Sequence, residues 1–77
     1  MTVKIYTADA CPGCKKTKEF LKANKIKFIE INITSNQKAA KEMIEKSGQF
    51  GVPVIDVNGE VITGFNKAKL KGVLNLE

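Results

Sequence analysis

Between residues 7 and 12 the pattern of this chain changes period. Residues 3–7 alternate, with Val3 and Ile5 on one face and Lys4 and Tyr6 on the other, and are rich in β-formers. That predicts a strand. Ala8-Asp9-Ala10 reads as a short loop. Pro12 then suits the first turn of a helix, where its missing N–H costs nothing, and good helix formers run on to about Asn24. Cys14, Thr17 and Leu21 fall on one stripe with Phe20 beside it, while Lys15, Lys16, Lys18 and Lys22 fill the other face. The only two cysteines among 77 residues, Cys11 and Cys14, sit on this strand-to-helix junction. Two thiols at that spacing can close a disulfide with little backbone movement, so the fold must deliver both to one helix start.

The remaining elements follow from similar signals. Ile26 to Ile33 reads as a second strand, and Phe28, Ile29, Ile31 and Ile33 make it too apolar to be fully exposed. Thr34 to Gln37 has the spacing of a capping box with Thr34 as the cap. The helix it opens is predicted to reach about Ser47, with Ala40, Met43 and Ile44 on its buried stripe and Gly48 ending it in the left-handed conformation. Val52 to Val57 is a third strand. Asn58-Gly59 is the strongest hairpin signal, because a type I′ turn needs positive φ at both positions, and Val61 and Ile62 form the return. Gly64-Phe65 breaks that strand, and Asn66 can cap a last helix with Leu70, Val73 and Leu74 facing inward.

The order is therefore βαβαββα. The first two strands, joined by a helix, should be parallel, and the last two form an antiparallel hairpin. The expected closure is an α/β domain spanning residues 1–77: a four-stranded mixed sheet with three helices on its two faces.

Composition narrows the function. Hydrophobic residues are 43% and charged residues 27%, which fits a globular chain and not a disordered one. No apolar run approaches the ~20 residues of a membrane span, and Met1 to Tyr6 lacks the pattern of a signal peptide. No membrane partner and a cytoplasmic location are the expectations. There a cysteine pair is kept reduced, which argues against a structural staple. The tiny loop it would close removes little unfolded-state entropy.

Net charge is +5 and all 13 basic residues are lysines. Without arginine a nucleic-acid partner is not expected. The lysines read as a solvated surface, with steering of acidic partners as the functional alternative. Histidine is absent, which removes the usual general base and the commonest zinc ligand. The cysteine pair is at most half a zinc site, completed only in a dimer.

Thiol–disulfide exchange is the chemistry that remains. A thiolate attacks, and an ordinary cysteine is mostly protonated at neutral pH. Cys11 precedes the helix opened by Pro12, so unpaired N–H groups and the helix dipole point at its sulfur. Lys15 and Lys16 add positive potential within the next turn. Cys14 lies one turn in, on the apolar stripe. Cys11 is the candidate nucleophile and Cys14 the candidate resolving thiol. Pro53 has two readings: a strand-initial proline on an edge, or a cis-proline that exposes the backbone of Val52 beside the thiols for strand addition.

Taken together, Ile5-Tyr6-Thr7, Cys11-Pro12-x-Cys14, the following helix with Lys18, Gly51-Val52-Pro53, and Gly64 before the last helix make the whole chain resemble a glutaredoxin. The resemblance implies a thioredoxin fold, a cis Pro53 packed against the cysteines, and a Val52 backbone offered to the substrate. It also implies glutathione as co-substrate with no bound cofactor. Partners would be disulfide-containing or glutathionylated proteins, met by a monomer. The binding surface it suggests comprises Pro12, Lys15, Val52 and Pro53, then Gly64, Phe65 and Asn66.

Three positions depart from the family pattern. Gly13 stands where an aromatic is usual. Ala8 stands where a cation is common, and Asn66 where an aspartate holds the ligand. Gly64-Phe65 instead resembles the short redoxins that serve ribonucleotide reductase and are reduced by thioredoxin reductase. A dimeric [2Fe–2S] carrier is the alternative from another class, with Gly13 leaving space that an aromatic would fill.

Overall fold

A computed structural model describes residues 2–76 of the chain, so the ends of the expected 1–77 span lie outside the described residues. Its elements are β1 (Val3–Thr7), α1 (Pro12–Ala23), β2 (Ile29–Asn32), α2 (Gln37–Ser47), β3 (Val54–Val57), β4 (Glu60–Thr63) and α3 (Lys67–Val73). The βαβαββα order is as expected. The sheet order is β2-β1-β3-β4. β1 runs parallel to β2, with Lys4 opposite Ile29, and antiparallel to β3, with Ile5 opposite Ile55. β3 and β4 form the hairpin, and Asn58 and Gly59 at its tip have φ of 52° and 95°.

The alternation read in β1 separates two cores. Val3 and Ile5 face one side with Ile55, Val57 and Ile62, where Leu21 of α1 and Leu70 and Leu74 of α3 cover them. Tyr6 and Val54 face the other side, under Ala39 and Met43 of α2. Every position of β3 is buried because this central strand has helices over both faces.

Four expectations need correction. β2 covers only Ile29–Asn32, and Ile29 is 53% exposed. It is an edge strand paired on one side only, so its apolar residues are only partly covered. The cap of α2 is Asn36, not Thr34: Asn36 has extended backbone, and its side-chain oxygen accepts the Ala39 N–H at 3.0 Å. The buried stripe of α2 is Ala39 and Met43, with Ile44 at the exposed margin. β3 starts at Val54, two residues later than expected, because Pro53 has no N–H to give a ladder.

A polar cluster ties α2 to the sheet. Lys46 donates to Asp56 Oδ2 at 2.8 Å and to the Tyr6 hydroxyl at 3.0 Å, and Tyr6 donates to Glu42 Oε1 at 2.7 Å. Asp56 Oδ1 accepts the Gly59 N–H at 2.7 Å, which extends the cluster to the hairpin turn. The hydrogen bond to Asp56 is the main cause that raises the Lys46 pKa above its ordinary value. Burial pushes Asp56 up, but Lys46 and the Gly59 N–H together hold it below the usual carboxylate range.

Candidate thiol site

The loop from β1 to α1 is braced at several points. Thr34 Oγ1 accepts the Asp9 N–H at 3.1 Å, and Asn32 Nδ2 donates to Asp9 Oδ1 at 2.9 Å. The Ile33 N–H donates to the Thr7 carbonyl at 2.8 Å. Thr34 therefore holds the approach to Cys11 instead of capping α2. These partners are some two dozen residues apart in sequence, so no local pattern announces them.

Cys11 is the N-cap of α1, with φ −114° and ψ 100°, and Pro12 is the first helical residue. Its sulfur accepts the Cys14 N–H at 3.1 Å, one of the helix-start donors that the α-helix leaves unpaired. The two cysteines form a disulfide with their Cα atoms 5.2 Å apart. Cys11 is half-buried, whereas Cys14 is 2% exposed. The stripe read from sequence explains the difference, since Cys14, Thr17 and Leu21 are the buried residues of α1. Thr17 hides its hydroxyl by donating to the Gly13 carbonyl at 2.8 Å.

α1 is also pinned laterally. Lys18 pairs with Glu30 of β2 at 3.0 Å, and Thr7 donates to the same carboxylate oxygen at 2.9 Å. The Lys18 hydrogen bond is the main reason the Glu30 carboxyl lies below its ordinary value.

Pro53 is cis and buried, and its ring lies against the cysteine turn. A Cβ placed on Gly13 would sit 3.2 Å from Pro53 Cδ, tighter than an ordinary carbon contact. The space beside Gly13 is thus bounded on one side by the Pro53 ring. Gly64, with φ 72°, donates its N–H to the Pro53 carbonyl at 2.8 Å. Phe65 meets Phe20 of α1 edge to face, with ring centroids 6.0 Å apart. The cysteine turn and the Gly64 loop thus meet at Pro53, with Val52 half-buried beside it.

The other expected binding residues are placed differently. Asn66 caps α3 and accepts the Lys69 N–H at 3.1 Å, so its side-chain oxygen is engaged within its own helix. Part of Phe65 is held by Phe20, leaving it 37% exposed. Lys15 is exposed and forms no ion pair among the described residues. Phe20 is a residue whose part in the site the sequence did not reveal; its place beside the apolar stripe was the one available hint.

Among the described residues no group of three or more His, Cys, Asp or Glu side chains is placed to hold a metal. No described helix is long and apolar enough to cross a membrane. A paired sulfur at a helix start can alternate between dithiol and disulfide, with the helix N–H groups stabilising a thiolate at Cys11.

Comparison with known proteins agrees with this geometry. The glutaredoxin family model matches residues 3–62. The chain is 48% identical over 68 residues to an uncharacterised glutaredoxin-like 8.6 kDa protein in the rubredoxin operon of Clostridium pasteurianum, covering 88% of this chain and 91% of that one. It is 37% identical over 62 residues to glutaredoxin 3 of Escherichia coli, covering 80% and 75%. Among solved structures, the glutaredoxin-like NrdH-redoxin of Escherichia coli, described as having a thioredoxin-like activity profile, superposes with a TM-score of 0.82. It shares 25% identity, and the match covers 100% of this chain and 96% of that one.

Proposed function

Because this chain belongs to the glutaredoxin family, we propose that it is a dithiol oxidoreductase in which Cys11 attacks a disulfide and Cys14 resolves the product. The observation that carries this reading is the inequality of the two sulfurs. Cys11 is accessible at the helix start and accepts the Cys14 N–H, while Cys14 is sealed in the packed stripe. The Cys11 thiolate attacks one sulfur of the substrate and the other leaves as a thiolate. Cys14 then attacks Cys11 Sγ, releases the second substrate thiol and leaves the Cys11–Cys14 disulfide. Replacing Cys11 by serine should abolish all exchange. Replacing Cys14 should spare reduction of glutathione mixed disulfides and stop turnover that needs both thiols. Equal loss from both would contradict the division of roles.

Glutathione is the electron donor in this reading, a co-substrate and not a bound cofactor. The peptide is acidic and meets a chain of net charge +5. The Val52 backbone beside Pro53 would receive it, in a cytoplasmic monomer acting on disulfide-containing or glutathionylated proteins. A second reading, reduction by thioredoxin reductase, is favoured by Asn66, a neutral side chain whose oxygen is engaged in capping α3. The test is reduction of the oxidised protein by glutathione and, side by side, by thioredoxin reductase with NADPH. Faster reduction by glutathione supports the first reading and the opposite order the second. No reduction by either rejects both.

A further inference from the structure

Residues 50–52 differ from the rest of the surface. Phe50 is 70% exposed, more than any other large hydrophobic side chain of the described residues. One exposed apolar side chain is ordinary, but its setting here is not. None of the backbone N–H or C=O groups of Phe50, Gly51 and Val52 is hydrogen-bonded among the described residues. Gly51 between the two side chains presents bare backbone, with only the Gln49 side chain near its missing Cβ. The segment also leads directly into Pro53, whose ring touches the cysteine turn. Three peptide units reach at most about 11 Å, which bounds the distance from Phe50 Cα to Pro53 Cα. An apolar side chain, a run of unpaired backbone groups and the reactive sulfurs therefore lie within the span of a few residues of an extended peptide.

We propose that Phe50 is a specificity-determining residue that grips an apolar side chain of a protein substrate whose extended, cysteine-bearing segment pairs with the backbone of residues 50–52. This rests on the dithiol reading above. The occupant is an extended peptide because unpaired N–H and C=O groups are what a strand-like partner completes. Side chains two apart on such a partner face the same way. A substrate residue two positions from its cysteine is thus carried about 7 Å along the segment, towards Phe50. Its covering by Phe50 is favourable because apolar surface leaves water.

The test uses the reduced protein in a single turnover with two synthetic peptides. Each carries its cysteine in a disulfide with 5-thio-2-nitrobenzoate. One peptide has leucine two positions from the cysteine and the other has serine. The Cys11 thiolate attacks the peptide sulfur, and the S–S bond breaks with its electron pair going to the coloured thiolate. Cys14 gives up its proton and attacks Cys11, releasing the peptide thiol. Two electrons pass from the dithiol to one disulfide.

The wild-type chain should prefer the leucine peptide about tenfold in second-order rate, in line with burial of one aliphatic side chain. In Phe50→Ala that ratio should fall towards one, with the melting temperature kept because the ring is exposed; Phe50→Leu should retain most of the preference. An unchanged ratio in Phe50→Ala overturns the proposal. So does a dimer at assay concentration that Phe50→Ala dissociates, since a second copy would then be the occupant. If neither peptide reacts faster than with Cys11→Ser, the dithiol reading fails and the docking inference falls with it.

Discussion

Replacing Asp56 by asparagine probes the cluster that fastens α2 to the sheet. The amide oxygen can still accept the Gly59 N–H, so the hairpin turn keeps its bond. What disappears is the acceptor of the 2.8 Å bond from Lys46 Nζ, replaced by an amide that carries no charge. A charged hydrogen bond contributes roughly 1.5–3 kcal/mol. The Lys46 side chain is 28% exposed, and water recovers part of that loss, so about 1–2 kcal/mol is the expected cost. For a domain of this size that lowers the melting temperature by roughly 4–16 °C.

The cleaner quantity is the coupling in a cycle of Asp56→Asn, Lys46→Met and the double variant, followed by urea unfolding. Near neutral pH it should be about 1 kcal/mol. Its pH dependence has a definite sign. Asp56 has a folded-state pKa below the ordinary 3.8. Its stabilisation is therefore fully present above the unfolded value and lost as pH falls through the lower folded one. A coupling under about 0.3 kcal/mol at neutral pH would refute the reasoning. So would a coupling that survives unchanged in strong acid. Thiol reactivity should be unaffected, because α1 packs on the opposite face of the sheet.

Other consequences are equally direct. Lys25 follows α1 with φ 57°, where Ile26 N–H bonds the Leu21 carbonyl and Lys25 N–H the Lys22 carbonyl. This is a Schellman motif with lysine where glycine fits best, so Lys25→Gly should stabilise by about 0.5–1 kcal/mol in thermal unfolding. Gly13→Tyr brings a Cβ to 3.2 Å from the Pro53 ring, so the ring must give by a few tenths of an ångström. The rate of peptide disulfide exchange should fall by about tenfold, a loss of ~1.4 kcal/mol in transition-state stabilisation; an unchanged rate would show that the proline ring yields freely. Ile55 is fully buried and Ile29 is 53% exposed. Ile55→Ala should cost about 2–5 kcal/mol in urea unfolding, and Ile29→Thr no more than about 0.5.

Much of this protein was legible in the sequence because its signals are local. The alternation of residues 3–7, Pro12 at the first turn, Gly48 in the left-handed conformation and Asn58-Gly59 at the hairpin each depend on neighbours a few residues away. So does the inequality of the cysteines: one helix start and one apolar stripe set Cys11 and Cys14 apart before any long-range contact forms.

What failed or stayed hidden depends on distant partners. Thr34 and Asn36 are both competent caps, and the choice fell to Asn36 because Thr34 has Asp9 to hold. Ile29 reads as a core residue until β2 becomes an edge with one neighbour. Phe20 reads as one more apolar residue beside a stripe until Phe65 packs on it. Gly13 reads as open space until the Pro53 ring comes within 3.2 Å of where its Cβ would be. Local sequence thus determined the elements and which thiol lies at the surface. Only the tertiary structure decided what lies beside the cysteine turn, because Pro53 reaches Gly13, Gly64 reaches Pro53 and Phe65 reaches Phe20 of α1 through chain closure.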